Sequence, residues 1–415
     1  MTSSRLRFGI TLAFVGFASV LPAALGEQPP GYLTQWGSQG SGDGQFSFPV
    51  GVATDTAGDV YVADSENHRI QKFTGTGAYL TQWGSQGSGN GQFEYPVALA
   101  TDAAGDLYVV DQSNSRVQKF TETGSYLTGW GSYGSGDGEF DYPTGVATDA
   151  AGDVYVADAN NHRIQKFSGT GTYLTQWGSF GTGEGQFFAN GVATDGAGGV
   201  YVADLDNYRI QKFTSTGMYV TQWGSRGYGD GQLQYPQGVA TDTSGNVYVA
   251  DGVSHRIQKF TGTGTYLTQW GSPGSGDGEF AAPLGLATDS AGNVYVADYY
   301  LHRIQKFGAA PIAMTFDLTP NAPNPVSRGR WVTGFLEPVS PFAAGDIDIA
   351  SIRLNGTVPV DPAAPTALGD HDGNGVPDLM VKFSRAAVEL AVAGGDDAPV
   401  TVTATVDGHS LHGTD

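Results

Sequence analysis

One stretch of the chain has the residue types and spacing of a metal site. Asp370-His371-Asp372-Gly373-Asn374-Gly375-Val376-Pro377-Asp378 puts oxygen donors at loop positions 1, 3, 5 and 9, a glycine at 6 and the Val376 carbonyl at 7. Hard cations such as calcium take all-oxygen sets of this kind, and the glycine permits the sharp turn that wraps the ion. Asp370, Asp372, Asn374, Val376 and Asp378 are the expected ligands of a structural calcium. Val381 stands where a bidentate glutamate would close the shell, so a remote carboxylate such as Asp346 or Asp348 has to complete it. The competing reading is an acidic turn held by Asx hydrogen bonds.

Elsewhere, chemistry-bearing residues recur rather than converge. Asp64 and Arg69 return as Asp111/Arg116, Asp158/Arg163, Asp204/Arg209, Asp251/Arg256 and Asp298/Arg303. Six identical copies lack the asymmetry of a site, so the pairs are expected to hold loops locally. His68, His162, His255 and His302 fall at one repeat position, with Ser115 and Tyr208 in the other two copies. Equivalent loops of a ring stand apart, which argues against a shared metal. No nucleophile–base pair is visible, and there is no cysteine.

These residues are positioned by a unit written six times. The VYVAD-type tyrosine is at Tyr61, Tyr108, Tyr155, Tyr201, Tyr248 and Tyr295, and the tryptophan at Trp36, Trp83, Trp130, Trp177, Trp223 and Trp270; the spacing is 47 except for one step of 46. Each copy holds four β-prone runs, of the types GVATD, VYVAD, RIQKF and YLTQW, separated by Gly-rich breaks of hairpin size. A four-stranded antiparallel sheet cannot cover both faces alone, so neighbours must stack on it. Radial stacking gives an all-β six-bladed propeller. The first YLTQWG run, Tyr32 to Gly37, precedes any GVATD run, and none follows Phe307. That orphan strand is expected to complete the last blade and close the ring, removing the free edges that invite aggregation. An open β-solenoid would not need the offset.

The pattern GxFxxPxGVATDxxGxVYVADxxNHRIQKF, with Asn67-His68 and Asn161-His162, resembles the NHL repeat over about two thirds of the chain. The resemblance implies a six-bladed propeller but no single function, because such propellers serve as RNA binders, lyases, sensors and scaffolds. In the lyases of this family, two zinc histidines directly follow the proline before the inner strand. Here Val50, Val97, Thr144, Gln237 and Leu284 follow that proline, and the fourth repeat has Ala189-Asn190 instead. None is a zinc ligand of the required kind. Asn190 is the odd polar residue among them. The Gly-rich GSGDG segments precede no helix, so they are expected to serve the blade crossings rather than to cradle phosphate.

The ends and the charge set the context. Residues 1–26 read as a signal peptide: Arg5 and Arg7, an apolar run from Phe8 to Val20, and the small residues Ala24 and Gly26 around a cleavage site. The propeller occupies 27–307, a Pro-rich linker 308–330, and a small β-sandwich-like domain 331–415. The net charge is −21; loss of the signal peptide removes two arginines and no acid, leaving 18 bases against 41 acids, or −23. Twelve of the bases are the repeated Arg and Lys of RIQKF. A chain this acidic repels phosphate backbones, which argues against nucleic acid as a partner. An exported, bacterial-type monomer, secreted or periplasmic, is the expectation.

Variation between copies gathers in the loops entering the inner strands and in those joining the second and third strands, which share one face of the disc. Tyr133 differs there, as do Phe180, Phe188, Asn190, Tyr208, Arg226, Tyr228, Tyr299 and Tyr300 of repeats four to six, which form the expected binding face; Tyr and Arg are common contact anchors. Neutral drift among repeats is the alternative source of such variation. The functional expectation is a non-enzymatic binding or scaffold protein of the cell envelope or extracellular space. It would recognise a protein or a glycan through that face. The alternative is a propeller lyase or hydrolase with an unrecognised axial metal.

Overall fold

The computed structural model describes residues 27–308 in full and, beyond them, the backbone of strands lying between residues 312 and 414. Residues 1–26, read as a signal peptide, lie outside the described residues.

Six four-stranded antiparallel sheets form the blades. In the first, inner strand Pro49–Thr54 pairs with Val60–Asp64, then Arg69–Phe73, then outer strand Tyr79–Trp83. Every second strand is buried along its whole length because neighbouring blades cover both of its faces; Val60–Asp64 shows this. That explains a near-continuous apolar run where an exposed sheet would alternate. One interior cluster combines Phe46, Val52, Val60 and Phe73 of the first blade with Tyr295, Ala297 and Ile304 of the sixth. The sixth blade consists of Pro283–Thr288, Val294–Asp298 and Arg303–Gly308, with Gly31–Trp36 as its outer strand. The orphan first strand therefore closes the ring, as its position in the sequence requires.

A second closure runs round the axis. The hydroxyl of Thr54 donates to the carbonyl of Thr288 at 2.8 Å, Thr101 to Thr54 at 2.7 Å, and Thr148 to Thr101 at 2.6 Å. Thr194 donates to Thr148 and Thr241 to Thr194, each at 2.6 Å, and Thr288 to Thr241 at 2.7 Å. The threonine of each GVATD run thus ties its inner strand to the preceding one. At the other end of the inner strands the backbones converge. A Cβ on Gly285 would lie 2.2 Å from the Val50 carbonyl, and one on Gly238 2.2 Å from that of Leu284.

The 308–330 stretch departs from the expected linker. Ile312–Thr319 is a strand, paired antiparallel with Trp331–Pro338 and, through Ile312 and Ala313, parallel with His409–Thr414. Its prolines suggest a linker, but Ile312, Met314, Phe316 and Leu318 alternate with smaller or polar residues at the strand period. Further strands run over Ile347–Leu354, Val358–Pro359, Asp378–Ser384 and Thr401–Val406. Of the expected calcium loop, residues 370–377 lie outside the described residues; Asp378 begins a strand.

Candidate functional site

The repeated aspartates are loop pins. Asp64 is wholly buried; its Oδ2 accepts from Arg69 Nε at 2.7 Å, Asn67 Nδ2 at 2.9 Å and Gln71 Nε2 at 3.1 Å. The Arg69 guanidinium donates onward to the carbonyls of Ser41, Gly42 and Gln45, clamping the Gly-rich crossing loop. A buried charge this well satisfied is structural. Burial pushes the carboxyls of Asp111 and Asp298 upward, against the bonds and the arginines that hold them ionised.

The free oxygen of each pin sets the loop that enters the inner strand, and it does so in two ways. In blades one to three, Oδ1 of Asp64, Asp111 and Asp158 accepts from the N–H of Ser47, Glu94 and Asp141. The next residue, Phe48, Tyr95 or Tyr142, then has φ between 55° and 59°, the left-handed region. In blades four to six the aspartate takes the N–H of Phe188, Tyr235 or Ala282 itself, and these residues keep ordinary φ. The amide released in the first arrangement finds an imidazole: Phe48 N–H donates to His302 Nδ1 at 3.0 Å, and Tyr95 N–H to His68 Nδ1 at 3.4 Å. His162 and His255 face blades of the second type, and their Nδ1 atoms have no partner among the described residues. Aromatic residues with left-handed φ are uncommon, and such strain concentrates at functional sites.

These loops surround a cavity of about 480 Å³ on the axis, a typical small-ligand size. One side chain per blade projects into it from just after the inner-strand start: Val50, Val97, Thr144, Asn190, Gln237 and Leu284. Phe48, Tyr95, Tyr142, Phe188 and Tyr299 stand at its mouth. The only charged lining residue is Glu66, which accepts a hydrogen bond from the Tyr95 hydroxyl at 3.1 Å. No histidine, lysine or arginine lines it, and among the described residues no group of three or more His, Asp or Glu could hold a metal.

Three residues chosen for their variation, Phe188, Asn190 and Tyr299, line this cavity. Phe180, Tyr208, Arg226, Tyr228 and Tyr300 do not. Phe180 lies 4.9 Å from the His162 ring, the Arg226 guanidinium sits 5.3 Å over Tyr208, and Tyr228 and Tyr300 are exposed. Sequence reasoning passed over Phe48, Tyr95 and Tyr142, because comparing copies for differences discards what repeats. The signal was an aromatic directly before the inner-strand proline. Gln237 was also overlooked as Asn190's polar neighbour.

The NHL repeat model matches residues 46–73, 93–120, 140–167, 233–260 and 280–307. Five of the six blades are NHL repeats. The fourth blade of the NHL propeller is the one left unmatched; it carries Ala189 for proline and sits at the 46-residue step. Among solved structures, a structural genomics protein of unknown function from Bacteroides thetaiotaomicron is 19% identical with a TM-score of 0.54, over 66% of this chain and 76% of its own. A gluconolactonase from Xanthomonas campestris is 13% identical with a TM-score of 0.51, over 68% of this chain and 95% of its own. A streptogramin B lyase is 15% identical over 67% of this chain and 97% of its own, with a TM-score of 0.47. At these identities the likeness concerns the fold alone. No curated protein matches the sequence.

Proposed function

We propose that the NHL propeller is a non-enzymatic recognition module that takes a protein or glycan partner into its axial mouth. The observation that carries the reading is the composition of the cavity. It combines an aromatic collar with Thr144, Asn190 and Gln237, and its single carboxylate, Glu66, shares the lining with no basic residue. Acid–base catalysis requires a titratable group poised at the reacting atom, and metal catalysis requires converging donors. Aromatic planes with a few amides suit binding instead. The rival, an axial lyase or hydrolase, would need donors from outside this lining.

The setting we propose is outside the cytoplasm, periplasmic or secreted, with residues 1–26 removed as a signal peptide and the propeller acting as a monomer. The basic start and short apolar run support export. No helix among the described residues is long and apolar enough to cross a membrane. We also propose that Asp370, Asp372, Asn374, Val376 and Asp378 bind one structural calcium in a β-sandwich-like C-terminal module; the donor spacing supports it.

The test is capture from the source cell's envelope and culture fluid. Wild type is compared with a triple variant, Asn190→Ala, Gln237→Ala and Tyr299→Ser. A partner retained by wild type, lost by the variant and recovered chemically unchanged is the expected result. A partner held equally by both, or converted during incubation, would refute the reading.

A further inference from the structure

We propose that the mouth is built for the terminal unit of a neutral glycan, whose chain leaves across blade five; this rests on the binding reading above. Four features of the cavity converge on that ligand.

First, the collar presents flat aromatic faces. Phe48, Tyr95 and Tyr142 hold left-handed backbone conformations on three consecutive blades, and Tyr95 and Tyr142 are exposed at 37% and 53%. The C–H groups of a pyranose carry partial positive charge and pack on the negative face of such rings. Second, two amides stand free on the opposite side of the axis. The side chains of Asn190 and Gln237 have no hydrogen-bond partner among the described residues. Each offers a donor pair and an acceptor, the complement of sugar hydroxyls that both donate and accept. Third, the lining has no cation, only Glu66, and the chain as a whole is strongly acidic. A phosphate, sulfate or uronate would enter without a counter-charge, and a carboxylate-bearing peptide end likewise.

Fourth, the wall has one gap. After the pinning aspartate, four blades carry Ser65, Gln112, Leu205 and Tyr299, all of which line the cavity, whereas Ala159 of blade three and Gly252 of blade five do not; beside Ala159 the rim aromatic Phe188 still lines the wall. At the adjoining rim position Ala282 replaces the aromatic of the other five blades. A Cβ on Gly252 would lie 3.4 Å from Gln237 Nε2, so the free amide sits under the gap. A chain with its end on the collar can leave there without crossing a side chain.

Titration calorimetry on the full chain tests this. The probes are neutral pentasaccharides of glucose, mannose, galactose and xylose, their monosaccharides, a pentagalacturonate and an unrelated acidic peptide. The expected result is binding of at least one neutral pentasaccharide. Asn190→Ala and Tyr142→Ala should each weaken it tenfold or more, with thermal unfolding confirming that the variants fold. Ala282→Tyr, which restores the residue type of the other rims, should weaken the pentasaccharide and spare the monosaccharide. No binding of any neutral sugar, or equal binding of the galacturonate, overturns the glycan assignment. If the capture experiment still yields a protein lost by the mouth variant, the binding reading survives; if it yields none, both fall.

Discussion

Replacing Asp158 with alanine tests how the mouth is held. The carboxylate is fully buried and takes bonds from four donors: Asp141 N–H at 2.8 Å, Arg163 Nε at 2.7 Å, Asn161 Nδ2 at 3.0 Å and Gln165 Nε2 at 3.2 Å. The arginine keeps Gln176 Oε1 and the carbonyls of Ser135, Gly136 and Glu139, so its charge stays in place without its counter-ion. Removing one member of a buried pair costs about 3–5 kcal/mol. At roughly 2–4 °C per kcal/mol for a large domain, Tm should fall by about 6–20 °C. Asp206, exposed on the same face, is the control; Asp206→Ala should shift stability by less than about 0.5 kcal/mol. Scanning calorimetry at neutral pH measures both. The consequence reaches the mouth, because the Asp141 amide precedes Tyr142, whose left-handed φ the pin maintains. If Asp158→Ala melts within error of Asp206→Ala, the aspartates do not pin the loops and the account of the collar fails.

Three further outcomes are expected. Thr194→Val breaks one link of the axial threonine ring and should cost about 1 kcal/mol, read by urea unfolding. Burial lowers the His302 pKa below its ordinary 6.5, against the raising influence of Asp64 and Asp298. The unfolded chain therefore binds the proton first, so the stabilising contribution is complete above pH 6.5 and is lost as pH falls through and below it; His302→Asn should flatten that acid limb in pH-dependent melting. Calcium, on the proposed C-terminal site, should raise the melting temperature of wild type and leave an Asp370→Asn/Asp372→Asn variant unmoved, with metal analysis giving one ion against none.

The architecture was legible because it is redundant. Six copies of one hydrophobic pattern leave a single way to stack, and the displaced YLTQWG run at Tyr32 states the closure. The threonine ring was not legible, since it depends on how far inner strands approach each other, and that distance is set by Gly238 and Gly285 together with their neighbours. The mouth was half legible. Asn190 stood out by breaking a repeat, but Tyr95 and Tyr142 were hidden by conforming to one. Their conformation follows from which amide a buried aspartate accepts, and no single-residue signal carries that choice. At Ile312–Thr319, proline content outweighed an alternation that was already present.

The central claim is that the axial mouth is where the partner sits. Hydrogen exchange on the free and partner-bound chain tests it most directly. The account predicts new protection in the loops around Phe48, Tyr95, Tyr142 and Phe188 and at Tyr299, with the turns at Asp55–Asp59 and Asp149–Asp153 on the far face unchanged. Protection of those far turns or of the outer strands, with the mouth unaltered, would contradict it.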